Sequence, residues 1–194
     1  MPRKLVYYVA CTLDGFIART DGTFDCFLFE GPHFQDLFES FPETFPAHLR
    51  ARLGVAETAC RFDTVLMGRR TYEVGLREGV TNPYRPLRQM VISASMTEPP
   101  DPEVGLHGGC PVELVRRLKQ EPGRDIWLCG GGELAGSLAM EIDEIILKVN
   151  PVLIGRGIPL LGGFEGKLPA TLLTHRAYPN GFVLARYEVN SGAR

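Results

Sequence analysis

With 194 residues, 44% hydrophobic and 23% charged, the chain can bury a core as a single domain over residues 1–194, and neither disorder nor membrane embedding suits it. A net charge of −2 gives no general attraction to nucleic acid or acidic lipid, so any bound anion must be held by a local cluster. The five cysteines are odd in number and form no C-x-x-C pair, which reads as free thiols of a reducing cytoplasm rather than disulfides or a zinc site.

Leu5 to Ala10 is apolar on both faces, the pattern of a central strand covered on two sides. Thr12-Leu13-Asp14-Gly15 follows as a loop leaving a strand end, a place that favours ligands in open α/β sheets. Between Phe24 and Phe45 the chain is rich in phenylalanine. Phe34, Leu37, Phe38 and Phe41 at helical spacing predict a face packed on the sheet, with an aromatic slot for a flat heterocycle as the alternative. A second amphipathic helix is expected over 50–61.

Asp63 to Met67 reads as a short strand, and Gly68-Arg69-Arg70-Thr71 follows at once. Two guanidiniums in a first helical turn oppose the helix dipole, and an anion between them would relieve that conflict; solvated arginines are the alternative. Met90 to Ile92 forms a strand closed by Ser93-Ala94-Ser95, followed by a Pro-rich loop over 97–102 and a helix over 112–120. Ile126 to Cys129 is a short buried strand broken by Gly130, Gly131 and Gly132, after which helical propensity resumes. A helix restarting there directs free N–H groups beyond the strand end, and three glycines let a diphosphate approach the backbone. Gly130-x-Gly132-x-x-Ala135 formally fits the dinucleotide fingerprint, but its place two-thirds along the chain argues against an ordinary Rossmann domain.

The remaining signals are strands: Asp143 to Val149, a strand and glycine loop over 151–159, and two strands flanking the Pro179-Asn180-Gly181 turn. A parallel α/β body thus ends in an antiparallel hairpin. The four histidines are isolated, so no metal site is expected.

Taken together, Thr12-Leu13-Asp14-Gly15-Phe16-Ile17-Ala18, Met67-Gly68-Arg69-Arg70-Thr71-Tyr72-Glu73, Val91-Ile92-Ser93, the three glycines, Asp143-Glu144-Ile145 and Pro151 to Leu160 resemble the dihydrofolate reductase-like family. The likeness is to the branch shared with the reductase domain of riboflavin biosynthesis, and it runs over nearly the whole chain. It implies a mostly parallel central sheet with flanking helices, and NADPH as cofactor. By matching positions, Gly130, Gly131, Gly132 and the amides of Glu133 and Leu134 would hold the diphosphate. Gly68, Arg69, Arg70, Thr71 and Ser93 would take the diphosphate and the 2′-phosphate, and Ala10 with the Asp14 loop would lie near the nicotinamide. Asp14 is expected on the substrate side as an orienting contact, or as a turn-former before Gly15. Glu30 is a general acid or, the reading favoured here, a helix N-terminal carboxylate. The branch commonly has Trp where Cys26 stands.

The implied activity is hydride transfer to a small heterocyclic or carbonyl compound, with a ribosylaminouracil phosphate and dihydrofolate as candidates. For a phosphorylated substrate, Arg19, Arg156 and Lys167 are the available cations. The alternative is an NADP-binding dimeric scaffold without turnover. A homodimer through the C-terminal strands is expected, with no nucleic-acid or membrane partner.

Overall fold

The computed structural model describes residues 2–56 and 58–190. In chain order the elements are β1 (Leu5–Thr12), β2 (Phe16–Ala18), α1 (His33–Ser40), α2 (Ala47–Leu53), β3 (Phe62–Gly68), α3 (Arg69–Arg77), β4 (Arg88–Ile92), β5 (Val104–His107), α4 (Pro111–Gln120), β6 (Asp125–Gly130), α5 (Gly132–Ser137), β7 (Glu144–Asn150), β8 (Ile158–Pro159), β9 (Ala170–Ala177) and β10 (Val183–Val189). Among the described residues eight strands form one sheet in the order β5-β4-β3-β6-β1-β7-β10-β9, while β2 and β8 pair separately. From β5 to β7 every pairing is parallel, and β10 and β9 close the sheet antiparallel.

The apolar run in β1 is explained by burial on both sides. Val6 and Tyr8 join Phe62, Met67 and Trp127 on one face, under Leu37 of α1 and Tyr72 of α3. Leu5, Tyr7 and Val9 join Leu66 and Leu128 on the other, under Leu114 and Leu118 of α4 and Leu134 of α5. Alternating side chains thus feed two cores, and no residue of β1 is exposed.

Several expectations are corrected. The helix expected over 50–61 stops at Leu53, because Gly54 takes a left-handed conformation (φ 68°) and turns the chain back towards β3. That return is pinned by buried Glu43, which accepts the backbone N–H groups of Arg61 and Phe62, both at 2.7 Å. Phe41 is not in α1 but ends it, and the helix buries His33 and Leu37 rather than a phenylalanine stripe. The strand expected from Pro151 is a loop as far as β8. β5 and the β2–β8 pair had no clear sequence signal.

At the edge where β1, β6 and β7 begin, Glu144 is completely buried. It accepts Arg186 Nε at 2.5 Å and Nη2 at 2.9 Å, and Arg61 Nη2 at 2.8 Å. The glycine-bearing strand ends lie at the opposite edge, free of this network.

Candidate functional site

Parallel pairing places the carboxyl ends of β4, β3, β6 and β1 side by side. Gly68 is in register with Ile92, the residue before Ser93, and Met67 with Gly130. The three strand tips that the sequence singled out therefore share one edge of one sheet. A Cβ at Gly68 would find the Gly130 carbonyl at 3.9 Å and the Leu134 side chain at 4.0 Å.

The three consecutive glycines serve different purposes. Gly130 (φ 150°) and Gly131 (φ 92°) need conformations that L residues avoid, and a Cβ on either would meet nothing tighter than Thr71 Oγ1 at 3.6 Å. Gly132 is a packing glycine, since its Cβ would fall 2.2 Å from the Pro159 carbonyl oxygen. The Ala135 N–H reaches back to Gly131 O at 2.9 Å, so the amides of Glu133 and Leu134 precede this first helical bond. The result is a backbone concavity beside the Thr71 hydroxyl, a shape suited to phosphate oxygens.

The two arginines both have carboxylate partners. Arg69 pairs with Glu73 at 2.8 Å within α3, and exposed Arg70 spans from α3 to Glu133 of α5 at 3.7 Å. Ser93 Oγ accepts the N–H groups of Ser95 at 3.1 Å and Met96 at 3.0 Å and lies 3.4 Å from the Ser95 hydroxyl, so it shapes the turn after β4.

Asp14 ties two loops together. Its Oδ2 accepts the N–H groups of Gly155 at 2.7 Å and Ile154 at 3.1 Å. The Thr12 hydroxyl holds its carboxyl below the usual range; burial opposes this, and the Gly155 and Ile154 amides add to the lowering. Glu30 is exposed in the loop before α1, with no hydrogen bond or ion pair found for it among the described residues. Arg19 pairs with Asp25 at 3.0 Å on the surface, and Arg156 and Lys167 are exposed.

Sequence reasoning gave no role to three residues of β7 and α1. Lys148 of β7 is in register with Ala10 and partly buried. Asn150, buried at the end of β7, accepts the Leu28 N–H at 2.9 Å and so fixes the 24–28 loop above the strands. Buried His33 stacks on Phe182 at 4.0 Å and contacts the Asn180 amide at 3.1 Å, joining α1 to the C-terminal hairpin. A lysine within Ile145-Ile146-Leu147-Lys148-Val149 was the available signal, because a charge inside a doubly covered strand calls for a reason. Two cavities, of about 380 Å³ beside Phe38 and Val55 and about 220 Å³ beside Ile146 and Arg186, lie away from the strand tips.

Comparison with known proteins agrees with this architecture. The chain is 35% identical over 162 residues to the uncharacterized protein YwjB of Bacillus subtilis, covering 82% of this chain and 83% of that protein. A crystal structure of a Shewanella sp. PV-4 protein assigned to riboflavin biosynthesis superposes with a TM-score of 0.72 at 24% identity, covering 98% of this chain and 99% of that one. Dihydrofolate reductase from Enterococcus faecalis, complexed with NADP(H) and RAB-propyl, gives a TM-score of 0.63 at 12% identity, with 96% of both chains covered. These likenesses establish a dihydrofolate reductase-like fold. The family model described as the RibD C-terminal domain matches residues 3–184, so the chain belongs to the RibD C-terminal domain family.

Proposed function

We propose that this protein is an NADPH-dependent reductase that passes a hydride to a small heterocyclic or carbonyl compound. The observation that carries the proposal is the convergence of Gly68, Gly130, Gly131 and Thr71 into one open backbone cradle at the sheet edge. In this reading the Gly130–Gly131 turn and the Glu133 and Leu134 amides hold a diphosphate, and Gly68 lets it approach. Arg69, Arg70, Thr71 and Ser93 meet the remaining phosphate charge, for which a guanidinium fork and hydroxyls are the right chemistry. Arg70 would exchange its long contact with Glu133 for the ligand. Ala10 flanks the nicotinamide, which supplies the hydride when bound. Asp14 holds the loop between β1 and β2 in place for the substrate, and Glu30, exposed ahead of α1, serves as a helix N-terminal carboxylate rather than as the general acid.

Fluorescence titration tests the cofactor assignment. NADPH is expected to bind at least about tenfold more tightly than NADH, one charge-assisted contact being worth about 1.5–3 kcal/mol. Equal or tighter NADH binding would refute it. The second reading, a dimeric NADP-binding scaffold without turnover, draws on the lowered pKa of Asp14, which keeps its carboxyl ionised and without a proton to give. NADPH oxidation measured over a panel of pterins, pyrimidines and quinones separates the two, since tight binding with no turnover on any compound favours the scaffold.

A homodimer in the cytoplasm completes the proposal. β9 is an edge strand exposed along its whole length, with Leu172 47% and Leu173 42% exposed, an arrangement that a second copy would cover. Light scattering is expected to give a dimer at micromolar concentration, reduced to a monomer by the double substitution Leu172→Lys and Leu173→Lys. A monomeric wild type refutes this part.

A further inference from the structure

β7 carries a cation on the face it shares with Tyr8 and Trp127, next to the strand whose Ala10 borders the proposed nicotinamide position. Lys148 is in register with Ala10, and its Nζ stands 4.2 Å from the centroid of the Tyr8 ring. Lysines inside a fold ordinarily find a carboxylate. Among the described residues the ion pairs made by lysines are those of Lys4 and Lys119, and Lys148 has none. Among the described residues, the titratable groups found near it are uncharged at neutral pH. Burial pushes the Cys11 and Cys129 thiols up to about 11 and raises the Tyr8 phenol, while it lowers His33 on α1. On β10 the register neighbour is Leu184, and Arg186 beyond it is committed to Glu144. The residue is partly exposed, and its cation is matched by no carboxylate among the described residues.

Asp14 cannot fill the same role. Its carboxyl is held in the ionised form and its Oδ2 is committed to two backbone amides.

We infer that Lys148 is the proton-donating residue of this site, and that the acceptor is a planar oxo- or imino-compound that turns its heteroatom towards Nζ. The inference rests on the reductase reading. As hydride from the reduced nicotinamide forms the new C–H bond, the π pair of the C=O or C=N bond moves to the heteroatom. A Lys148 N–H bond breaks and the heteroatom–H bond forms. The acceptor is reduced by two electrons and the nicotinamide oxidised by two; neutral Lys148 then takes a proton from solvent. Desolvation lowers the Lys148 pKa to about 8, close to the range in which a general acid works best. The same cation disfavours acceptors that carry positive charge.

The experiment compares wild type with Lys148→Met, which keeps the length without the charge, and Lys148→Arg, which keeps the charge but holds its proton. NADPH fluorescence titration should give all three the same affinity within about threefold. Trp127 is the only tryptophan in the chain and lies on this face, so its quenching reports ligands there. Barbiturate, a planar oxo-heterocycle that is anionic at neutral pH, should quench the NADPH-loaded wild type. Its affinity should fall about tenfold in Lys148→Met and persist in Lys148→Arg. With an accepted substrate, kcat should fall by about 100-fold or more in both variants. The wild-type rate should decline as pH rises through about 8, and that limb should vanish in Lys148→Met. A wild type that binds no NADPH sinks the reductase reading and this inference with it. NADPH binding with no barbiturate quenching, or with Lys148→Met matching wild type in barbiturate affinity and pH profile, overturns the Lys148 assignment alone.

Discussion

Replacing Glu144 with alanine is expected to destabilise the protein by about 3–5 kcal/mol, since it removes the buried carboxylate on which Arg186 and Arg61 converge and leaves Arg61 only its longer pair with Asp125 at 3.4 Å. Glu144 has no exposed surface, and Arg186 and Arg61 converge on it at 2.5 to 2.9 Å. Both arginines are half-buried or nearly so, and their side chains cannot fully regain water without opening the edge where β7 meets β10. In a chain of this size each kcal/mol is worth about 2–4 °C of melting temperature, so a drop of about 10 °C is anticipated. Glu103→Ala makes the control: its pair with Arg85 spans 2.7 Å between exposed side chains, and its loss should stay within about 0.5 kcal/mol. Burial alone would raise the Glu144 pKa, but the Arg186 and Arg61 guanidiniums outweigh it and leave the carboxyl below its ordinary 4.5. A carboxylate depressed in the folded state contributes its stability in full above the unfolded pKa and loses it as pH falls through the folded one. Urea titrations below pH 4.5 should therefore show a steeper acid loss in wild type than in Glu144→Gln. A Glu144→Ala variant that melts within 2 °C of wild type, on the scale of about 2–4 °C per kcal/mol, would remove the network from the account of the fold.

Hydrophobic pattern made the central architecture legible, and pairing made the rest invisible until the chain was folded. β1 could be read because burial on both faces leaves an unbroken apolar run, and the C-terminal hairpin because Pro179-Asn180-Gly181 marks its turn. β5 is only Val104–His107, with a glycine inside it, and owes its extended form to pairing with β4. The two-residue β8 likewise exists because Gly157 and Gly132 let it cross the chain closely; a Cβ on Gly157 would lie 2.3 Å from the Ala18 carbonyl oxygen. Such contacts join residues from about 15 to 139 positions apart, and local periodicity carries none of that information. The strand tips were legible for a chemical reason, because glycines and hydroxyls at strand ends are a local code for a backbone that meets a ligand. Lys148, Asn150 and His33 were not, since their meaning depends on which face of which strand they share.

Gly131→Ala and Gly132→Ala should separate the ligand cradle from the packing beneath it, although the residues are adjacent. Gly131 sits at φ 92° and ψ 109°, where an L residue costs about 1–3 kcal/mol, so Gly131→Ala should fold with a modest loss of stability. Its methyl would enter the open space beside Thr71 Oγ1 at 3.6 Å, which is where the proposed diphosphate lies. NADPH affinity is expected to fall at least about tenfold, by the same scale that makes 1.4 kcal/mol a factor of ten. Gly132→Ala acts by another route. Its methyl would meet the Pro159 carbonyl oxygen at 2.2 Å, and the obstacle is backbone, fixed further by the Gly162 N–H bonding to Gly132 O at 2.8 Å. The segment over 158–162 must move away from α5, an overpacking cost of about 1–3 kcal/mol that shows as a lower melting temperature whether or not ligand is present. The decisive comparison is each variant's melting temperature against its NADPH dissociation constant. If Gly131→Ala folds and binds NADPH as wild type does, the glycines at the end of β6 are there for the turn alone, and the cradle assigned to Gly68, Gly130, Gly131 and Thr71 is not where the cofactor's phosphates rest.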